Sequence, residues 1–216
     1  MQSGPAVVDY YFSVASPWSY LGSARFMELA ARTGVWVNVR PMAFSQVLAA
    51  SGGLPYQQRP AQRASYRQED LARWRKRLGI PLTLVPKFYP VDRTPASHLV
   101  IAARTLGGSA ALQLSHAILR AIWQQDRNIA DWPTLIALAC EAGMDGTVLA
   151  EAARSPGIAQ DFKDDTDYAI EAGVFGAPTW VVDGERFWGQ DRLEFLADKL
   201  MASQHQMSVN LQEKCL

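Results

Sequence analysis

The N-terminal part of the chain has a strand pattern on either side of a helix pattern. Val7 to Phe12 are β-branched and aromatic apart from Asp9, which predicts a strand buried on both faces. A helical apolar face follows at Tyr20, Ala24, Met27 and Ala31, and it stops at Gly34. Val35, Val37 and Val39 then alternate with other residues and predict a second strand. Such a β-α-β unit favours two parallel strands with a right-handed crossover.

The middle of the chain has a different pattern, because a helical period dominates from Pro55 to Ala172. One amphipathic helix is indicated by Leu114, Ala117, Ile118, Ala121 and Ile122. Another is predicted to begin at Asp131, with Pro133 in its first turn and Gly143 after its end, and a further one covers about 157–172. The pattern predicts an all-helical insertion.

Strand patterns return near the C-terminus. Thr179 to Val182 lead into Asp183-Gly184, a strong hairpin signal, and Arg186 to Trp188 continue on the other side. A last helix opens at Gln190, with Leu193, Leu196, Ala197 and Leu200 on one face. We therefore predict an α/β fold with one discontinuous domain (5–54 and 173–202), a helical insertion domain (55–172) and a C-terminal tail (203–216).

Composition and charge narrow the functional classes. The 216 residues are 49% hydrophobic and carry no formal net charge, which excludes a disordered protein and the basic footprint of a nucleic-acid binder. No apolar run approaches the ~20 residues of a membrane span, and the first residues lack the features of a signal peptide. We expect a soluble, cytoplasmic protein with no nucleic-acid or membrane partner.

The cysteines and histidines indicate neither a disulfide framework nor a metal site. Cys140 lies among apolar helical residues and is expected to be a small buried hydrophobe, while Cys215 belongs to the tail. The three histidines form no ligand cluster in the sequence, so we expect no metal.

The strongest local motif is Ser16-Pro17-Trp18-Ser19, between the first strand and the first helix. The pieces that flank the insertion have the content of one thioredoxin-like fold, in which C-x-x-C occupies this position. Both cysteine positions are serine here, so disulfide exchange through the motif is impossible. One interpretation is that Ser16 only caps the helix. The other is that its hydroxyl, at the positive end of the helix, donates a hydrogen bond to the thiolate of another molecule.

A second motif is Ala177-Pro178, directly before the third strand and inside a turn-rich segment. A cis X-Pro bond opposite the first helix would direct the Ala177 backbone toward a bound peptide, as in β-strand addition. The alternative is an ordinary trans proline at the start of a strand.

Several motifs occur together in a recognisable order. They are Tyr11-Phe12 before Ser16-Pro17-Trp18-Ser19-Tyr20-Leu21, then Arg40-Pro41, Gly79-Ile80-Pro81, Val174-Phe175-Gly176-Ala177-Pro178 and Trp188-Gly189-Gln190-Asp191-Arg192-Leu193. In these motifs the chain resembles the family of kappa-class glutathione transferases and 2-hydroxychromene-2-carboxylate isomerases, within the DsbA-like thioredoxin superfamily. The resemblance implies a thioredoxin-like fold with a large helical insertion, glutathione as the cofactor, and a homodimer.

The resemblance also implies roles for individual residues. Ser16 matches the catalytic serine that contacts the glutathione sulfur, and Ala177 and Pro178 match the backbone segment that pairs with the tripeptide. Gln190 and Asp191, with Arg192 beside them, match the loop that holds the γ-glutamyl end; a carboxylate at position 191 suits an ammonium group. The chain departs from the family at Ser13 (commonly aspartate), around Leu48 (lysine in the isomerases) and near Gly53 (usually asparagine).

Candidate substrate contacts lie in the insertion and beside the serine. Arg59, Arg63 and Arg67 are four residues apart and would share a helix face, which is either a solvated surface or, through Arg59, a carboxylate-binding site. Trp18, Phe88 and Tyr89 would wall a pocket for a flat substrate, although core packing also explains them. The acidic residues Asp161, Asp164, Asp165 and Asp167 are expected on a hydrated helix face or as partners of those arginines.

Three functions follow as hypotheses. The first is a glutathione-dependent isomerase that acts on an aromatic-pathway keto acid of the hydroxychromene-carboxylate type and uses the thiolate catalytically. The second is a kappa-type glutathione transferase or peroxidase, which consumes glutathione. The third is a redox-inactive thioredoxin-like module that binds peptides against Pro178.

Overall fold

Four strands form one mixed sheet in this computed structural model, which describes the backbone of residues 6–213 and the side chains of residues 6–203. They are β1 (Val7–Phe12), β2 (Trp36–Pro41), β3 (Thr179–Val182) and β4 (Glu185–Trp188). The spatial order is β2-β1-β3-β4. β1 and β2 are parallel, as the β-α-β pattern predicts, and the other two pairs are antiparallel.

Nine α-helices surround this sheet in residues 6–213. They are α1 (Pro17–Thr33), α2 (Phe44–Ala50), α3 (Ala61–Leu78), α4 (Thr94–Ala103), α5 (Gly108–Trp123), α6 (Trp132–Glu141), α7 (Gly146–Ala152), α8 (Pro156–Glu171) and α9 (Leu193–Glu213). Short 3₁₀ turns cover Tyr56–Gln58, Arg104–Leu106 and Gln190–Arg192. None of the nine helices is long and apolar enough to cross a membrane.

The signals at the helix and strand ends act as expected. Ser16 caps α1 and Gly34 ends it in the left-handed conformation, with φ of 60°. The Asp131 side chain accepts a hydrogen bond from the Thr134 N–H and caps α6. Asp183 and Gly184, with φ of 51° and 79°, form the turn between β3 and β4. This α/β arrangement is the predicted thioredoxin-like fold with added helices.

One core joins the sheet to the helices that follow β2. In its centre the Tyr10 ring lies 5.7 Å from Trp180 and 5.0 Å from Phe26. The same buried cluster includes Ile118 and Trp123 of α5. All seven elements longer than one turn between β2 and β3 are helices, and the domain boundaries at residues 55 and 172 stay predictions.

A charged cluster joins α8 to the sheet, and it places Asp165 differently from the sequence prediction. Asp165 is 2% exposed, and its carboxylate pairs with Arg40 of β2 at 2.8 Å and with Arg104. Arg40 also pairs with Asp9 at 2.8 Å. The hydrated helix face expected for Asp165 is therefore wrong, because two arginines from other elements reach it in the interior.

Cys140 is also placed differently from the expectation. Helix α6 buries Leu135, Leu138 and Ala139, whereas the Cys140 side chain is exposed. The apolar neighbours in the sequence misled the prediction, since position 140 lies beside the buried face rather than on it. Cys215 lies outside the described residues.

Candidate active site

Ser16 lies after the end of β1 and directly before the start of α1. A turn places the Ser16 N–H 2.9 Å from the carbonyl oxygen of Ser13, and Pro17 occupies the first helical position. Ser16 Oγ accepts a hydrogen bond from the Ser19 N–H at 3.2 Å, so the cap is present. The first-turn N–H groups have no carbonyl one turn back, which leaves positive potential beside the Ser16 hydroxyl.

The turn before β3 brings a second backbone segment to this helix end. The Ala177–Pro178 peptide bond is cis, as the more specific of the two interpretations predicts. Ser16 Oγ lies 3.4 Å from the Ala177 carbonyl oxygen, a long hydrogen bond. The Ala177 N–H donates to no acceptor in the described part of the chain. Both backbone groups are therefore available to a peptide that enters between them.

The segment around the cis-proline is tightly held. Gly189 N–H donates to the Pro178 carbonyl oxygen at 2.9 Å, and Thr179 Oγ1 donates to the Gly176 oxygen at 2.9 Å. A Cβ on Gly176 would lie 1.9 Å from the Trp188 ring, so this close approach requires glycine.

Gln190, Asp191 and Arg192 form the 3₁₀ turn that precedes α9. Gln190 is buried, and its Oε1 accepts a hydrogen bond from Arg25 of α1 at 2.8 Å, while its Nε2 has no partner. Asp191 is more open to solvent and pairs with Arg192 at 2.5 Å. Gln190 thus links α1 to the turn before α9, with its Nε2 enclosed, and the carboxylate of Asp191 lies at the more open position beside it.

One cavity of about 960 Å³ connects these elements, and we call it the site cavity. Among the site residues predicted from the sequence, its lining includes Ser16, Trp18, Arg59, Tyr89, Ala177, Gln190, Asp191 and Arg192. Pro178, next to Ala177, does not line it. Phe88 does not line it either.

The three positions at which the sequence departs from the family pattern lie at the site cavity. Ser13, Leu48 and Gly53 all line the site cavity. A neutral hydroxyl, an apolar side chain and a glycine thus stand where the family commonly has an aspartate, a lysine and an asparagine. At these three positions the cavity wall is therefore less polar than the resemblance implies.

The arginines at the other end of the cavity differ from the predicted helix face. Arg59 precedes α3, and its Nε donates to the Leu54 carbonyl oxygen at 3.0 Å, so only Arg63 and Arg67 share the helix. The pKa of the Arg59 guanidinium is lowered, first by burial and then by the like charges of Arg67 and Arg63. Arg59, Arg63 and Arg67 form a positive group at the cavity wall, which we call the arginine cluster.

Sequence reasoning did not single out two tyrosine-and-arginine contacts in this wall. Arg67 is 8% exposed, and its guanidinium lies 4.5 Å from the Tyr56 ring centre and 5.8 Å from that of Tyr89. The four-residue spacing from Arg63 was the only available signal. Burial of a charged side chain depends on packing between distant elements, which the local pattern does not contain.

A helix that starts at a serine opposite a cis-proline turn, on a four-stranded mixed sheet, defines a class of protein. A family model described as a DSBA-like thioredoxin domain matches residues 7–201. The protein is therefore a DsbA-like thioredoxin-domain protein in which serine occupies the position of the first cysteine.

Relatives narrow the class further. The chain is 32% identical over 195 residues to 2-hydroxychromene-2-carboxylate isomerase of Sphingobium xenophagum, covering 90% of this chain and 97% of the relative. It is 27% identical over 210 residues to glutathione S-transferase kappa 1 of Homo sapiens, covering 91% of each. A solved structure of 2-hydroxychromene-2-carboxylate isomerase matches with a TM-score of 0.74 and 26% identity, covering 95% of this chain and 98% of that one. The chain belongs to the family of 2-hydroxychromene-2-carboxylate isomerases and kappa-class glutathione transferases, and it is an enzyme.

Proposed function

We propose that this enzyme is a glutathione-dependent isomerase of the 2-hydroxychromene-2-carboxylate type. The observation that carries the proposal is the pairing of Ser16 Oγ, at the start of α1, with the Ala177 backbone 3.4 Å away. The relatives above 30% identity that bear the isomerase name support the choice of reaction.

The residues around this pairing fit glutathione. The free Ala177 N–H and its weakly engaged carbonyl match the needs of a peptide backbone. The Asp191 carboxylate, which lines the cavity, suits the ammonium of a γ-glutamyl group. Glutathione, when bound, supplies a thiolate nucleophile that is released unchanged after the isomerisation.

The role of Ser16 follows from its position. Its hydroxyl proton is committed only to a 3.4 Å contact, so it can turn to donate to a sulfur anion. The Ser19 N–H holds the oxygen in place, and the end of α1 adds favourable potential for negative charge. Serine also avoids the mixed disulfide that a cysteine would form with the thiol.

The aromatic residues of the cavity would position the substrate. Trp18 lies directly after the helix start and Tyr89 lies at the wall that carries the arginine cluster. Between them the cavity would accept a flat aromatic keto acid, with Arg59 facing the same space. Trp18, Arg59 and Tyr89 are therefore proposed as substrate contacts.

A transferase or peroxidase reaction of the kappa type is the second candidate. The 27% identity to the human kappa enzyme favours it, as does the altered lining at Ser13, Leu48 and Gly53. This reaction would use the same thiolate site but would consume glutathione.

A thiol balance separates the two reactions. We expect the purified protein to isomerise 2-hydroxychromene-2-carboxylate only when glutathione is present, with the free-thiol concentration unchanged after many turnovers. Loss of free thiol with an electrophile or a hydroperoxide, without isomerisation, would support the transferase or peroxidase instead. Turnover without glutathione would contradict both.

A Ser16→Ala variant tests the serine. Removing one donor to a reacting anion costs on the order of 10²-fold in turnover, while the tripeptide should still bind. Ser65→Ala is a matched control, because Ser65 is an exposed serine on α3 whose side chain donates only to the Gln62 carbonyl oxygen.

The homodimer and the cytoplasmic location also belong to the proposal. Light scattering of the purified protein tests the homodimer.

A further inference from the structure

Arg67 is an interior cation without a counter-ion. It lies on α3 with 8% of its surface exposed, and no carboxylate of residues 6–203 forms an ion pair with it. It also makes no hydrogen bond to a side chain or backbone group in that range. Partial burial of an unpaired charge costs free energy, and a bound anion would offset that cost.

The tyrosines around Arg67 stabilise its cation. The Tyr56 ring centre lies 4.5 Å from the guanidinium carbon and that of Tyr89 lies 5.8 Å from it. Tyr89 is itself held against Trp123, with 5.1 Å between ring centres. These contacts leave the N–H donors of the guanidinium unused, because the face of a ring accepts charge without accepting a conventional hydrogen bond.

Those donors are accessible from the site cavity. Arg67 lines the cavity, and its nitrogens are not among the enclosed, unpartnered polar atoms of the described residues. An anion in the cavity can therefore reach them. The planar guanidinium offers two parallel donors that match a carboxylate.

The other charged groups of the wall strengthen this conclusion. Among the described residues, the charged side chains that line the cavity are five arginines and two aspartates: Arg59, Arg63, Arg67, Arg93, Arg192, Asp70 and Asp191. Asp191 pairs with Arg192, and Asp70 interacts with Arg73 and Asp191 rather than with Arg67. The arginine cluster therefore keeps an uncompensated positive charge beside aromatic surfaces.

We propose that Arg67 binds the carboxylate of a flat aromatic substrate beside the rings of Tyr56 and Tyr89. This assignment rests on the proposed function for the identity of the substrate, but not for the presence of the site. It makes Arg67 rather than Arg59 the main carboxylate contact, because the Arg59 Nε is already committed to the Leu54 carbonyl oxygen.

The glycine carboxylate of glutathione has the same chemistry and is the other carboxylate that could bind Arg67. We commit to the aromatic acid because Arg67 is flanked by two aromatic rings, which suits a ligand whose carboxylate is joined to a planar ring. Separate binding measurements with the two ligands distinguish these sources.

A non-reacting probe tests the site without relying on catalysis. Binding of 2-naphthoate and of its neutral analogue 2-naphthalenemethanol is measured by calorimetry on the full chain, and glutathione is titrated separately. We expect Arg67→Gln to weaken 2-naphthoate binding about tenfold or more, while binding of the neutral analogue and of glutathione stays unchanged. Arg67→Lys, which keeps the charge but loses the paired donors, should fall between the two.

Two controls keep the result interpretable. Arg73→Gln removes an arginine from the same helix that is paired with Glu69 and does not line the cavity, so it should leave 2-naphthoate binding unchanged. Circular dichroism checks that each variant is folded, and if Arg67→Gln does not fold, Arg67→Lys carries the test. Equal 2-naphthoate affinity in the wild type and the folded Arg67 variant would overturn the assignment.

Two further outcomes would also overturn it. In the first, Arg67→Gln weakens glutathione alone, which places the tripeptide there. In the second, only Arg59→Gln weakens 2-naphthoate. If 2-naphthoate binds through Arg67 but 2-hydroxychromene-2-carboxylate is not isomerised, the proposed function fails while the carboxylate site stands.

Discussion

At the scale of single residues, Asp165 shows how a charged side chain can belong to the interior. Its carboxylate is shared by Arg40 and Arg104, which come from β2 and from the turn after α4. Burial raises the pKa of this carboxyl group, and the two arginines oppose that shift. The cluster therefore ties α8 to the sheet at the cost of dehydrating three charges.

We expect Asp165→Ala to lower the free energy of unfolding by about 3 kcal/mol, because it leaves two arginines without their shared partner. The estimate is at the lower end for buried pairs, since both arginine side chains keep about a quarter of their surface exposed (23% and 28%). Urea denaturation measures the change. Asp161→Ala, at an exposed position one turn earlier on α8, should be neutral; equal losses in both variants would show that the ion cluster contributes nothing.

Several residue placements could not be predicted from local pattern. Arg67 and Asp165 look like solvated helix positions in the sequence, and Cys140 looks buried, yet each is the opposite in the structure. The reason is the same for all three. Their exposure is decided by which other elements pack against the helix, and a helical period reports only which face is apolar.

At the scale of elements, the helix start at Ser16 combines a structural and a proposed chemical role. The start of this helix could be predicted from residue types alone. A serine side-chain oxygen accepts a hydrogen bond from a free N–H group of the first turn, and proline fits the first helical position. The hairpin at Asp183-Gly184 follows in the same way from its need for positive φ. The cis bond before Pro178 was one of two interpretations, and the cis bond between Tyr89 and Pro90 had no signal.

Two cap variants separate these roles. Ser16→Ala and Asp131→Ala each remove a side chain that accepts an N–H at the start of a helix, so each should lower stability by about 1 kcal/mol. Only Ser16→Ala should also reduce glutathione-dependent turnover. Thermal denaturation and the isomerase assay on both variants provide the readouts, and an equal loss of activity in both would reduce Ser16 to a cap.

The short helix α2 and the 3₁₀ turn at Tyr56–Gln58 are elements that the sequence did not reveal. Both are too short to show a helical period. They nevertheless supply Leu48 and Tyr56 to the site cavity, so pattern analysis did not predict this part of the cavity wall.

At the scale of the whole molecule, two histidines couple stability to pH. Burial lowers the pKa of His116, with a further contribution from the charge of Arg120, and burial also lowers the pKa of His98. The folded state then binds fewer protons than the unfolded chain once the pH falls below about 6.5. The stabilisation is complete above that pH and is lost as the pH falls through the folded-state pKa values.

We therefore expect the free energy of unfolding to decrease between about pH 7.5 and 5.5, with His116→Asn decreasing less steeply than the wild type. The asparagine amide can keep a contact with Ser23 Oγ, which lies 2.7 Å from His116 Nδ1, without titrating. Urea denaturation at both pH values measures this. Identical pH slopes in the two proteins would contradict the assignment to His116.

The arrangement of the whole chain was largely predictable, because the element order β-α-β, helices, β-β-α admits few topologies once strand and helix ends are marked. The cavity could not be predicted from the sequence. It forms where α1, α3, the Ala177 turn and the Gln190 turn meet, and these elements are far apart along the chain. The proposed function depends on one feature of the cavity, the Ser16 hydroxyl beside the start of α1.

The most direct measurement is a spectroscopic titration of the glutathione thiol bound to the protein, following thiolate absorbance against pH. The proposed role of Ser16 requires a thiol pKa well below that of free glutathione in the wild type, and a rise of about one unit or more in Ser16→Ala with the tripeptide still bound. A bound thiol that titrates like the free one, or at the same pH in both proteins, would contradict it.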